Sequence, residues 1–197
     1  MLTTRVDDGK LLRIFRLAAH RPTVPIIDSI DIKKSNTHVL NGLAKDTAKE
    51  CKAYEAAIEK AGGIDIQVLG IGSDGHIAFN EPGTSLKSRT SVVYLTPSTI
   101  ADNARLFFKG RKAEVPTRAL SMGVGTICEA KKVILLAFGK NKANAVKGCV
   151  EGPMTQFCTA SALQQHNDAW IFCDEEAAAK LTLAKYYKWR SSTKLGI

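Results

Sequence analysis

Ile64-Asp65-Ile66-Gln67-Val68-Leu69-Gly70-Ile71-Gly72 is the stretch on which the fold turns. Branched residues from Ile64 to Leu69 predict a strand, and the glycines after it predict that the strand runs directly into a loop. Upstream, Cys51, Tyr54, Ala57 and Ile58 recur at helical spacing between Lys49 and Ala61, and Gly62-Gly63 closes that pattern as C-terminal glycines do. Downstream, Val92 to Leu95 reads as a short strand. Thr96-Pro97-Ser98 then supplies an N-cap with proline at the first helical position, opening a helix toward Phe108. The alternation continues with a strand around Leu120, a short helix from about Val124, a strand from Val133 to Phe138, a helix from about Lys142 to Val150, a strand from Ala169 to Cys173 and a helix from Glu175. Asp174 is a good N-cap for this last helix, with Glu175 and Glu176 at its positive end and Lys185 and Lys188 toward its negative end.

Strands that alternate with helices of this length predict an α/β fold with a mainly parallel, Rossmann-like sheet and helices on both faces, because parallel strands need crossover connections. Such sheets hold ligands at the carboxyl ends of their strands. The loops after Leu69, into the helix of Arg105, and after Phe138 are therefore the places to look for a site. Asp7-Asp8-Gly9 reads as a turn with no branched strand before it.

The 197 residues, 45% apolar and 24% charged, match one ordinary globular domain rather than a disordered or fibrous chain. The apolar stretch Val133 to Phe138 is far too short to span a bilayer and no signal peptide is recognisable, so a cytoplasmic protein without membrane contact is expected. Five cysteines lack C-x-x-C spacing, which favours buried reduced thiols over a zinc site or a disulfide framework. The net charge of +9 would suit phosphates, nucleic acids or acidic membranes. Its basic residues are spread along the chain, with short clusters at Lys109 to Lys112 and Lys185 to Lys194, and that distribution argues against nucleic acid.

The chemistry concentrates after the first strand quoted, where Asp74, His76 and Glu81 fall within eight residues and can share one pocket. Histidine titrates near neutrality, and a nearby carboxylate fixes which ring nitrogen carries the proton, so an Asp-x-His-x4-Glu group can shuttle protons between two oxygens of a substrate. An Asp-Gly turn followed by histidine is also a common polar loop, and spacing alone does not choose between the two.

The run Asp74-Gly75-His76-Ile77-Ala78-Phe79-Asn80-Glu81-Pro82-Gly83-Thr84-Ser85-Leu86-Lys87-Ser88-Arg89-Thr90 resembles the signature of the glucosamine-6-phosphate deaminase family. The resemblance extends from about Ile32, through Asn36-Thr37-His38-Val39-Leu40-Asn41-Gly42, to near Tyr187. It implies a partial isomerase/deaminase domain over residues 31–197, preceded by a leader, residues 1–30, without a clear family match. By the same resemblance, His76 is the acid/base that opens the pyranose ring, with Asp74 and Glu81 supporting it. Arg105 falls where the family has a phosphate-binding arginine, and a guanidinium offers a dianion a planar set of donors. Lys142 matches a second phosphate contact; at the start of a helix after a buried strand, its ammonium and the nearby backbone N–H groups could both face a phosphate. Lys140 is equally close by spacing, and only the family pattern favours Lys142. His166, in another family-like stretch, is expected to be structural.

The implied reaction converts glucosamine 6-phosphate and water to fructose 6-phosphate and ammonia, with no metal or organic cofactor. The implied partner is the aminosugar phosphate itself, and a homo-oligomer is expected because relatives often assemble. The Asp-Glu-Tyr segment in which the family keeps the base for the C2 proton is not recognisable here, nor is the glycine-rich phosphate loop near the N-terminus. A catalytically silent phosphosugar-binding or subunit-interaction fragment is therefore the alternative from another class, and a 6-phosphogluconolactonase, a family that shares Asp-Gly-His but not the Ala-Phe-Asn-Glu-Pro after it, is the rival enzyme. Family members regulated by acetylated aminosugar phosphate carry basic residues after Ser-Arg-Thr, where this chain has Ser91-Val92-Val93-Tyr94.

Overall fold

The structure is a computed structural model that describes residues 2–7, 11–16 and 31–195, with side chains from 31 to 193. Among these residues the main sheet has six strands in the order β3-β2-β1-β4-β7-β8. They are β1 (Leu2–Asp7), β2 (Leu11–Arg16), β3 (Thr37–Val39), β4 (Ile66–Gly70), β7 (Lys132–Ala137) and β8 (Ala169–Cys173). β4 and β7, β7 and β8, and β2 and β3 pair in parallel, while β1 runs antiparallel to both β2 and β4. The sheet is thus mainly parallel, as expected, with an antiparallel hairpin set into it.

That hairpin corrects the reading of Asp7-Asp8-Gly9 as a turn without a preceding strand. Asp7 ends β1 and pairs with Leu11 of β2; residues 8–10 lie outside the described residues. The run before Asp7 does carry branched residues, Thr3, Thr4 and Val6, and such a run ahead of Asp and Gly is a hairpin signal.

The helices form where their caps and periodicity place them. In α1 (Thr47–Lys60), the side chain of Asp46 accepts the N–H of Lys49 at 2.9 Å, and Cys51, Tyr54 and Ile58 are the buried stripe. Gly62 and Gly63 end it with φ of 81° and 90°, which glycine adopts without steric cost. α2 (Pro97–Phe107) begins at an N-cap formed by Thr96, α3 covers Val124–Cys128, and α4 covers Ala143–Val150. The helix expected from Glu175 onward is in fact two, α5 (Glu175–Ala178) and α6 (Ala184–Leu195), although Lys188 reaches back to Glu175 at 2.6 Å. The break falls where Thr182 and Leu183 give their backbone N–H groups to the Glu151 carboxylate, an acceptor that competes with helical carbonyls.

The strands expected around Val92 and Leu120 do not join the main sheet. β5 (Ser91–Tyr94) and β6 (Arg118–Ser121) form a two-stranded antiparallel ribbon of their own. Both are four residues long, with Ser91, Tyr94 and Arg118 exposed, whereas β4 and β7 alternate buried residues on one face with half-buried or exposed ones on the other. The core runs between β4, β7 and the helices through Leu69, Ile77, Met122, Ile127, Val133 and Leu135. All five thiols are free; Cys51 and Cys149 are buried, and Cys128, Cys158 and Cys173 only half-buried. Burial pushes the Cys149 thiol up to about 12, well out of reactive range. No helix among the described residues is long and apolar enough to cross a membrane.

Candidate active site

β4 ends at Gly70, and the chain then folds back on itself so that Ile71 bridges Ile77 in antiparallel fashion. The N–H of Gly72 donates to the carbonyl of His76 at 2.8 Å, closing a short loop that carries Asp74. Gly72 has to be glycine for packing reasons: a Cβ there would lie 2.4 Å from the imidazole of His76. Gly75 has φ of 90°, and a Cβ on it would lie 2.5 Å from Cys158 Sγ. The histidine ring thus lies directly against backbone.

Within the loop, Asp74 Oδ1 accepts from the His76 backbone N–H at 3.1 Å and from His76 Nδ1 at 2.7 Å. Nδ1 therefore carries a proton, and Nε2 is the nitrogen left to exchange one. The hydrogen bond from His76 is the main reason the Asp74 carboxyl lies below the ordinary carboxylate range. Glu81 comes from the far side, with Oε2 at 3.6 Å from the same Nδ1. Its carboxylate is buried: Oε1 faces the backbone N–H of Thr96 at 3.1 Å and the Thr96 hydroxyl at 3.3 Å, whereas Oε2 has no hydrogen-bond partner. The sequence-predicted trio is thus brought together. Its ligand atoms lie within 4.8 Å of one another, a spacing that could also hold a cation, although a cation on Nδ1 would have to displace the proton given to Asp74.

The segment between His76 and Glu81 is fixed by a buried polar frame. The Ile77 N–H donates to Thr159 Oγ1 at 3.1 Å, and that hydroxyl donates to the Asn80 carbonyl at 3.0 Å. Asn80 Nδ2 bridges the carbonyls of Ile77 and Met122 at 3.0 and 2.9 Å. Ala78 takes a left-handed φ of 56°, and this frame holds it there. The end of the signature run is tied down by Glu55 of α1, whose carboxylate accepts from the Thr90 N–H at 2.8 Å, from the Thr90 hydroxyl, from Thr126 Oγ1 at 2.7 Å and from Arg89 at 2.7 Å. Arg89 also reaches Glu129.

Arg105 and Lys142 stand apart from this cluster: no hydrogen bond or ion pair joins either to Asp74, His76 or Glu81 among the described residues. Arg105 lies in the last turn of α2, 67% exposed, and pairs with Asp102 at 3.3 Å. Lys142 ends a 3-10 turn, Lys140–Lys142, entered through Gly139 at φ 86°. One expectation fails here. The backbone N–H groups of Gly139 and Lys140 do not face open space: Gly139 donates to both Asp174 oxygens, at 3.1 and 3.0 Å, and Lys140 to Glu176 at 3.2 Å. Carboxylates of α5 and its cap already satisfy these two donors. His166 is structural as expected, its Nδ1 accepting the Asp168 N–H at 3.0 Å while Nε2 meets the Ala130 carbonyl at 2.6 Å. Thr96, read from the sequence only as a helix cap, is the residue missed.

The profile of the glucosamine-6-phosphate isomerases/6-phosphogluconolactonase family matches residues 23–172. The chain belongs to that family. Among curated members, the glucosamine-6-phosphate deaminase of Shewanella loihica is 53% identical over 163 residues, covering 83% of this chain and 60% of its own length. The deaminase of Cutibacterium acnes is 47% identical, covering 85% of this chain and 63% of its own length. This family member therefore spans a little over three fifths of those relatives. Among solved structures, a monomeric glucosamine-6-phosphate deaminase superposes with a TM-score of 0.74 at 46% identity, covering 78% of this chain and 63% of that one. The 6-phosphogluconolactonase of Trypanosoma cruzi superposes with a TM-score of 0.59 at 26% identity, covering 77% and 62%.

Proposed function

We propose that this family member acts as a glucosamine-6-phosphate deaminase, converting glucosamine 6-phosphate and water to fructose 6-phosphate and ammonia in aminosugar catabolism. The observation that carries the reading is the Asp74–His76 contact with Nδ1 protonated and Nε2 left to exchange a proton. In this reading Nε2 takes the proton of the anomeric hydroxyl and returns it to the ring oxygen, which opens the pyranose and exposes a carbonyl at C1. Asp74 holds the tautomer and stabilises the imidazolium formed in between, and Glu81 Oε2 adds a second negative charge beside it. Transfer of the C2 proton then moves the unsaturation to C2. Water adds there and ammonia leaves.

Arg105 and Lys142 are proposed to bind the phosphate dianion, Lys142 through its ammonium. No residue is matched to the base that removes the C2 proton, so slow turnover by this chain is part of the proposal, and the same observation favours a phosphosugar-binding chain as the second reading. A cytoplasmic location, self-association and the division into residues 1–30 and 31–197 belong to the proposal too, the first resting on the lack of a long apolar stretch and of a recognisable signal peptide, the other two on the resemblance.

The test is incubation of glucosamine 6-phosphate with excess protein, following ammonia and fructose 6-phosphate, with 6-phosphogluconolactone as a parallel substrate. Slow release of both products in equal amounts, abolished by His76→Ala, is expected. Saturable binding with no product supports the second reading, and lactone hydrolysis alone refutes both.

A further inference from the structure

Glu81 has one oxygen occupied and one free, and the residue that divides them is Thr96. Its backbone N–H and its hydroxyl both point at Oε1, at 3.1 and 3.3 Å. The hydroxyl has one hydrogen to give; it accepts the Thr99 N–H at 3.2 Å and shares a hydrogen bond with Ser98 Oγ at 2.9 Å in which either hydroxyl can donate. Thr99 Oγ1 stands 3.1 Å away as a competing acceptor, but an ionised carboxylate is the stronger one. In an ordinary capping box, a glutamate three residues into the helix returns a bond to the N–H of the cap residue. Here the residue three positions on is Thr99, and Glu81, from outside the helix, supplies that acceptor. The positive end of α2 faces the same carboxylate. With Oε1 so held, Glu81 cannot turn away, and Oε2 is left buried and unpartnered 3.6 Å from His76 Nδ1.

We infer that Thr96 is a positioning residue of the site: it locks Oε1 of Glu81 so that Oε2 stays directed at His76. This rests on the ring-opening role proposed for His76, but the contact itself can be tested without turnover. Three variants separate the roles of the residue. Thr96→Ser keeps the hydroxyl. Thr96→Val removes it along with the cap. Thr96→Gly removes it while costing only a few tenths of a kcal/mol of capping, so that variant stays folded.

The first measurement is the amide spectrum of labelled protein. Glu81→Gln is expected to shift the Thr96 N–H resonance upfield, because a neutral amide oxygen replaces a carboxylate as its acceptor. The second is steady-state kinetics, in which Thr96→Gly is expected to lower kcat about tenfold with KM changed less than twofold, and Thr96→Ser to restore it, since losing a charge-assisted hydrogen bond costs on the order of 1.5 kcal/mol. A purely structural cap would lower the melting temperature and leave kcat alone. A Thr96 resonance that does not respond to Glu81→Gln, or a Thr96→Gly protein with the kcat of wild type, overturns the inference. If wild type shows no turnover, the deaminase reading fails instead, while a Thr96 resonance that ignores Glu81→Gln still overturns the inference.

Discussion

At the scale of single residues, charges proposed to meet a ligand stand apart from charges that hold the fold. Arg105 is proposed to be of the first kind. Its partner Asp102 is an exposed neighbour one turn away, and such pairs are worth only about 0.2 to 0.5 kcal/mol, so little holds the guanidinium back from a stronger anion. Arg105→Ala is expected to weaken phosphosugar binding by 1.5 to 3 kcal/mol, about tenfold to somewhat over a hundredfold, with Arg105→Lys recovering part of it. Calorimetric titration with the sugar phosphate and the unphosphorylated sugar reads this directly; equal affinity in the folded mutant would make Arg105 a surface charge. Glu55 is of the second kind. Burial alone would raise its carboxyl, but hydrogen bonds from Thr90 and Thr126 and the charge of Arg89 outweigh that and hold it below the usual range. Because the folded value is the lower one, the stability it contributes is present above the unfolded value near 4.3 and is lost as pH falls through the folded value. Glu55→Gln should therefore cost about 1 to 3 kcal/mol in urea unfolding at neutral pH, with the gap to wild type closing at pH 3.

At the scale of elements, β7 puts neighbouring leucines into opposite environments. Leu135 is fully buried, while Leu136 is 39% exposed on the other face of the sheet, level with Phe172 of β8. Leu135→Ala is expected to cost about 2 to 5 kcal/mol, as buried leucine truncations do, whereas Leu136→Ala should cost about 1 kcal/mol or less. Equal losses in denaturant unfolding would mean that the outer face is covered in solution. The elements themselves were largely legible from the chain. Thr96-Pro97 and Asp174 cap the helices that local rules assign to them, and β7 and β8 lie within a residue of where branched residues place them. What stayed hidden is what depends on distant partners. Local patterns cannot say which strands pair, so β5 and β6 read like members of the main sheet. The split between α5 and α6 depends on Glu151, more than thirty residues away in the chain. In the site, Asp74, His76 and Glu81 were readable because they sit close in sequence. The second task of Thr96, and the carboxylates that occupy the Gly139 turn, were not, because each partner comes from another part of the chain.

At the scale of the molecule, the chain matches its relatives over about three fifths of their length and shares the fold of a solved member. Ser91, Val92, Val93 and Tyr94, set by the resemblance against basic residues of regulated family members, form β5 and offer no charge to an anionic effector. Adding N-acetylglucosamine 6-phosphate is therefore expected to leave both rate and substrate affinity unchanged, and a clear rise in either, measured in the ammonia assay, would refute this. The inserted hairpin has a different kind of consequence. Leu2 pairs with Val68, and Val68 pairs in turn with Ile134, so each central ladder of the sheet joins segments far apart in the chain. The entropy of closing those long loops must be met before the ladders add any stability. Refolding from denaturant should accordingly be slow for a protein of this size, in milliseconds to seconds rather than microseconds. While it waits for its partners, β4, the strand that leads into the histidine loop, has both backbone edges open to other chains, which makes low protein concentration the condition for recovering a working site.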